Sequence, residues 1–246
     1  MSPSTSAVPA PVRIARKLRR ATSALEFSDP VACVYNPLDY ARKPAEAYLE
    51  RYARPKPKAL LLGMNPGPWG MAQTGVPFGE VSFARDFLGL ELPVKRPKDE
   101  HPKRPVDGFA CTRSEVSGQR VWGFVQERFG TPKAFAKHYF IWNYCPLAFL
   151  EESGKNRTPD KLPAAESAPL FEICDRALIE MVDALQPKWL VGVGKFAEDR
   201  LKAVFPDRSE SIGRVLHPSP ASPIANRGWA PQAERDLERL GLPVKG

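Results

Sequence analysis

Cysteine and histidine are scarce in this 246-residue chain, four and three respectively. Cys33, Cys111, Cys145 and Cys174 stand far apart, with no C-x-x-C pair and no Cys/His cluster. That spacing argues against zinc and iron–sulfur sites and fits a reducing compartment, so no metal and no organic cofactor is expected. Long apolar runs are missing too. None approaches the roughly 20 residues of a membrane span, and the N-terminus lacks the apolar stretch of a secretory signal, so no membrane partner is expected. Neither a G-x-G-x-x-G fingerprint nor a phosphate loop follows any strand-like run, which removes the support for a dinucleotide- or nucleotide-binding protein. Internal repeats are absent.

Basic residues are plentiful: the formal net charge is +8 and the pI near 9.4, which favours a polyanionic partner. No acidic residue precedes Glu26, whereas Arg13, Arg16, Lys17, Arg19 and Arg20 crowd the start. Residues 1–11 are Ser/Pro/Ala-rich and read as disordered. The expected division is a basic, flexible segment over 1–20 and a catalytic domain over 21–246. Ile14, Leu18, Ala21 and Leu25 nevertheless recur at helical spacing, as in a basic amphipathic helix docked on the domain; an organelle-targeting segment is the weaker reading.

Beyond the N-terminus, the pattern predicts strands near 58–63, 138–143, 188–193 and 212–216. It predicts helices near 80–89, 117–129, 168–185, 195–204 and 229–240. Strands separated by helices point to an α/β fold: one three-layer α/β/α domain around a central, mainly parallel four-stranded sheet. Two long connections interrupt the rhythm. Residues 93–113 hold Lys95, Arg96, Lys98, Lys103, Arg104 and Arg113, and residues 151–163 hold Lys155, Arg157 and Lys161. Long ordered loops are commonly functional, and these two suit a phosphate track or a solvated variable surface.

Two strand ends carry the chemistry. The apolar run Ala59 to Leu62 breaks into Gly63-Met64-Asn65-Pro66-Gly67-Pro68-Trp69-Gly70-Met71, and Val215-Leu216 breaks into His217-Pro218-Ser219-Pro220. In open α/β sheets ligands sit outside the carboxyl ends of strands, so an amide and an imidazole on two such turns suggest one cleft with two polar arms. His101, in a basic loop, and His138, beside a strand, lack such a setting and read as structural.

Three stretches in order, G-M-N-P-G-P-W-G-M-A-Q-T-G-V-P-F-G-E (63–80), W-N-Y-C-P-L (142–147) and H-P-S-P-x-x-P-x-A-N-x-G-W (217–229), resemble the single-strand-selective monofunctional uracil-DNA glycosylases, within the uracil-DNA glycosylase superfamily. The resemblance spans roughly residues 25–241. It implies that Asn65 positions the attacking water, that His217 stabilises the departing base, and that Asn143 reads the Watson–Crick edge. It further implies that Phe78 stacks on the base, with Met64, Gly67 and Met71 lining the pocket. Asn65 can accept a hydrogen bond from water but cannot take its proton near neutral pH, so the glycosidic bond would break before water adds. Resembling enzymes strict for uracil carry a Tyr where Gly67 stands, which blocks a substituent at C5. Gly67 has no side chain to do so, which implies that backbone at Gly67 and Met71 admits polar 5-substituted uracils such as 5-hydroxymethyluracil. Ala221, Ser222 and Arg227 fall in the implied DNA-penetrating loop, residues 221–228, with Ser219 on a phosphate. Ala221-Ser222 is too small to fill the gap left by a flipped base unless Ile224 or Arg227 compensates.

The expected activity is therefore excision of uracil and related lesions from single- or double-stranded DNA by a monomeric hydrolase that leaves an abasic site. The expected compartment is the cytoplasm in a bacterium and the nucleus in a eukaryote. A mismatch-type thymine/uracil glycosylase is the close alternative, and a non-catalytic single-strand-binding module built on the basic loops is the distant one.

Overall fold

The computed structural model describes residues 7–246. Seven strands occur among them: β1 Val31–Tyr35, β2 Ala59–Gly63, β3 Tyr139–Asn143, β4 Ala148–Glu151, β5 Asn156–Arg157, β6 Trp189–Val193 and β7 Ile212–Val215. The longer helices are α1 Ala10–Thr22, α2 Arg42–Tyr52, α3 Val116–Phe129, α4 Ala164–Leu185, α5 Lys195–Val204 and α6 Trp229–Arg239.

The central sheet runs β3-β2-β6-β7 with every neighbour parallel. All four strands are those expected, because parallel strands buried on both faces are written as continuous apolar runs. Alternation sends Leu61, Ile141, Val193 and Val215 to one face, against Val121, Phe124 and Val125 of α3 and Trp229, Ala233 and Leu237 of α6. On the opposite face, the backbone of α5 at Ala197 and Glu198 lies against Gly192. The α/β/α layering is as expected. A second, antiparallel sheet, β1-β4-β5, was not.

Three helix expectations need correction. The stretch near 80–89 is wound as a π-helix over Phe83–Phe87, with Leu88 N–H bonding Phe83 C=O. The helix expected from 168 begins at Ala164 and carries Pro169 in its second turn. The flexible 1–20 segment is helical from Ala10, and a boundary at residue 20 cuts that helix. Residues 1–6 lie outside the described residues. Val12, Ile14, Ala15 and Leu18 are buried, and α1 packs on α4. Three of its cations are committed as well: Arg16 grips Glu46 through two hydrogen bonds, Lys17 pairs with Glu180, and Arg19 with Asp39. No helix among the described residues is long and apolar enough to cross a membrane.

Candidate active site

The carboxyl ends of β2 and β3 are in register, Gly63 beside Asn143, so both residues face the α3 side of the sheet. Gly63 must be glycine. A Cβ there would overlap Asn143 Oδ1 and stand 2.8 Å from Phe78 Cε2. The Asn143 carboxamide is buried with its two ends in different states. Nδ2 donates to Met71 Sδ at 3.2 Å, and Oδ1 has no hydrogen-bond partner among the described residues. A thioether is a weak acceptor, so both ends of this amide are available to a better partner.

Phe78 completes that corner at a backbone cost. Its φ is +52°, the left-handed region that a bulky residue rarely adopts, and strain of this kind collects at functional sites. Trp122 Nε1–H holds the preceding Pro77 carbonyl at 3.2 Å, and Gly79 N–H bonds Val76 C=O at 2.8 Å. The Phe78 ring lies 6.4 Å from the His217 ring, tilted by 51°. His217 follows β7, the far edge strand, so the two motif-bearing turns converge around Phe78. Burial holds the His217 imidazole below its ordinary value, which keeps it neutral at physiological pH.

Asn65 stands two residues beyond Gly63. Its Nδ2 donates to the Leu147 carbonyl at 3.2 Å, which makes Oδ1 the end turned to other partners. Cys145 N–H bonds the Met64 carbonyl at 2.9 Å, sealing the β2 turn to the W-N-Y-C-P-L stretch. Asn156 Nδ2 holds the Pro66 carbonyl at 3.0 Å, so the 151–163 loop braces the same turn.

The downstream loop is equally constrained. Ser219 Oγ accepts from Ala221 N–H at 3.1 Å, and Ser222 caps the short helix Pro223–Asn226. Arg120 of α3 donates to the Pro218 and Ser219 carbonyls and to Asn226 Oδ1. Ala221 and Arg227 are exposed. Ile224, at 50% exposure, is the most exposed large apolar side chain described.

Two residues escaped the sequence reading. Gly63 is one. Glu115, just ahead of α3, is the other, and its carboxyl lies against Gly67 and Gly70. A Cβ on Gly67 would stand 2.6 Å from Glu115 Cδ, and one on Gly70 2.7 Å from it. The carboxyl fills the space both glycines leave. Its Oε2 is buried without a hydrogen-bond partner among the described residues. Desolvation, reinforced by the nearby Glu80 charge, pushes its pKa from 4.5 up to about 7. Only the glycine spacing Gly67-x-x-Gly70 hinted at a close neighbour.

An acid whose folded pKa is raised contributes stability below its unfolded value and loses it as pH climbs through the folded one. Replacing Glu115 with Gln should therefore stabilise the protein increasingly between pH 4.5 and about 7, by on the order of 3 kcal/mol at the plateau. Urea melts of both proteins at pH 5 and pH 8 check this. A stability difference that does not change with pH would show that the carboxyl is not desolvated.

Two histidines are set apart from this corner. His101 is buried: Nδ1 accepts from Lys103 N–H at 3.1 Å, which leaves Nε2 to donate to Glu151 C=O at 3.0 Å. His138 precedes β3, at the end of the sheet opposite Asn143. All four cysteines are free thiols, and no cluster suited to a metal ion occurs among the described residues.

An open parallel sheet whose strand ends present two carboxamides, a strained aromatic and a neutral histidine is the frame of a base-excising hydrolase. Residues 50–237 match the model of the uracil DNA glycosylase superfamily, and the chain belongs to that superfamily. Within it the chain is of the single-strand selective monofunctional type. It is 48% identical over 228 residues to the single-strand selective monofunctional uracil DNA glycosylase of Mus musculus, covering 92% of this chain and 82% of that one. The Bos taurus protein of the same name is 50% identical over 222 residues, 89% of this chain and 81% of that one. The fold also matches the crystal structure of SMUG2 from Pedobacter heparinus at a TM-score of 0.66, covering 93% of this chain and 97% of that one, with 18% identity. Membership of an enzyme family sets aside the non-catalytic binding module.

Proposed function

We propose that this protein extrudes uracil, and uracils bearing a polar 5-substituent, from DNA and hydrolyses the N-glycosidic bond to leave an abasic site. One observation carries the reading: the orphaned Asn143 Oδ1 at the strand end, beside the same Gly63 position as Phe78, whose ring lies 6.4 Å from that of His217. Uracil offers an N3–H donor and an O4 acceptor, which suit Oδ1 and Nδ2 of one amide. Cytosine reverses the pattern and would leave buried groups unpaired, a penalty that such sites use to reject near-isosteres.

In this mechanism the flipped base stacks on Phe78. The glycosidic bond breaks largely first, and His217 donates a hydrogen bond to O2 as negative charge gathers there. Asn65 Oδ1 then orients the water that captures the sugar cation. Backbone and side chains of Met64, Gly67 and Met71 wall the pocket.

A basic approach for the DNA strand lies beside the Asn65 turn. Lys103, Arg104 and Arg113 make no ion pair among the described residues, and Arg104 and Arg113 lie 5.2 and 4.7 Å over the Trp69 ring, four residues past Asn65. The groove beside His217 is different. Its Lys195, Arg214 and Arg239 are already paired with Asp199, Glu198 and Asp236. Phosphates therefore follow the Trp69 side, with Ser219 and Arg227 touching the backbone near the flipped nucleotide. Ala221 and Ser222 leave the vacated base position unfilled, and Ile224 is the apolar side chain available to enter the stack.

An excision assay on single- and double-stranded oligonucleotides carrying uracil, 5-hydroxymethyluracil or a T:G mismatch tests the reading. Single-stranded uracil should be cut fastest, because a single strand spares the few kcal/mol of unpairing. Uracil opposite adenine should lag, and T:G should be refractory. Preferential cutting of T:G would instead favour the mismatch-type alternative.

A further inference from the structure

The Glu115 carboxyl is out of place as mere packing. It lies in the volume vacated by two glycines of the Gly67–Met71 turn, with one oxygen buried and unpartnered. An unpaired buried polar atom costs about 1–3 kcal/mol, and in a native protein it calls for an explanation. A leucine would fill the same space without that cost.

The chemistry of the base says what the carboxyl faces. In uracil, C5 is bonded to C4, the carbon that bears O4. If Asn143 Nδ2 donates to O4, a substituent on C5 must come from the side toward which Nδ2 points. In this structure Nδ2 points at Met71 Sδ, 3.2 Å away, at the end of the turn that Glu115 underlies. The 5-position of the pyrimidine and the Glu115 carboxyl are thus directed to one place.

We propose that Glu115 is the specificity-determining residue for the pyrimidine 5-position, forming a subsite that hydrogen-bonds a hydroxyl-bearing 5-substituent and rejects a methyl group. This rests on the reading of Asn143 given above. A protonated carboxyl both donates and accepts, so a hydroxymethyl group satisfies it in either sense. Burial and the Glu80 charge keep a large share of the carboxyl protonated near neutral pH. A methyl group offers neither bond and would displace any water that does, leaving the acid unpaired. Sites built around a hydroxyl discriminate strongly against the analogue that lacks it.

The test is the ratio of specificity constants, kcat/KM, for 5-hydroxymethyluracil and uracil in single-stranded oligonucleotides, measured within each protein so that general losses cancel. Glu115→Leu should lower that ratio at least tenfold and raise the corresponding thymine-to-uracil ratio. Glu115→Gln, which keeps a donor and an acceptor, should hold the hydroxymethyl ratio within about threefold of the wild-type value. If the leucine variant does not fold, Glu115→Met, flexible and of similar length, carries the same expectation. A ratio that the apolar variant leaves within threefold of wild type overturns this proposal alone. Wild-type protein that excises uracil but not 5-hydroxymethyluracil overturns the proposed substrate range, and this proposal with it.

Discussion

Asn65→Ala is expected to lower turnover of single-stranded uracil substrate by about 10²–10³-fold, the cost of removing one preorganised polar group from a transition state. The effect should fall on kcat. Asn65 Nδ2 is spent on the Leu147 carbonyl, so Oδ1 is the end left for the reactants, and in the proposed mechanism it meets the water rather than the base. Affinity for uracil-containing DNA should stay within a few-fold of wild type, because the proposed mechanism gives base stacking, edge reading and phosphate contacts to other residues. The measurements are single-turnover excision and a binding titration on the same oligonucleotide. A variant with wild-type turnover would remove Asn65 from the chemistry. A variant that lost binding in proportion to turnover would make it a ligand for the base instead. An Asn65→Asp variant adds a control, since a carboxylate can accept the proton that the amide cannot. Its turnover should exceed that of the alanine variant.

Much of the candidate site was legible in the sequence, for a physical reason. Parallel strands buried on both faces must be continuous apolar runs, and a functional strand end must break such a run with residues that turn the chain. The sequence Leu61-Leu62-Gly63-Met64-Asn65-Pro66 does both within six positions. The same holds for Val215-Leu216-His217-Pro218. What stayed hidden depends on pairing across long separations. The strand Val31–Tyr35 pairs with Ala148–Glu151, more than a hundred residues away, and neither is long enough to declare a period. The helix Arg42–Tyr52 was concealed by Pro44, which breaks a helix interior but is tolerated in the first turn, where its missing N–H has no partner to lose. Pro169 misled in the opposite sense, resembling a first-turn proline while sitting a turn further in.

Glu115 was hidden for a different reason. Nothing local in Arg113-Ser114-Glu115-Val116 distinguishes it from a solvated acidic residue at a helix start. Its placement comes from what α3 touches. The beginning of this helix reaches both arms of the site, Glu115 against Gly67 and Gly70 and Arg120 against Pro218 and Ser219. The two turns carry the candidate site residues, and α3 braces both. A change in the pitch of α3 would therefore alter the geometry of both turns together, although it bears neither motif.

His217→Leu should cost about two to three decades in kcat on uracil, the loss that follows removal of one donor aimed at developing charge in a dry site. Leucine preserves packing against Phe78, 6.4 Å away between rings in the native protein, so the loss reports the hydrogen bond and not a cavity. His217→Gln, which retains an N–H donor, should fall between leucine and wild type. The pH dependence separates two roles for the imidazole. Burial lowers its pKa from 6.5, so the neutral ring dominates at and above neutrality. A mechanism that needed the imidazolium would lose about tenfold in rate per pH unit above that lowered pKa. Donation from the neutral ring predicts no such loss, and wild-type kcat should stay level from pH 7 to pH 8.5. The linkage to folding runs the other way from that of Glu115. A histidine with a depressed folded pKa contributes stability that is present above 6.5 and lost as pH falls through the folded value, so the leucine variant should lose less stability than wild type on acidification. A kcat that drops steadily through the alkaline half of that range would assign the proton, and not the neutral donor, to the departing base.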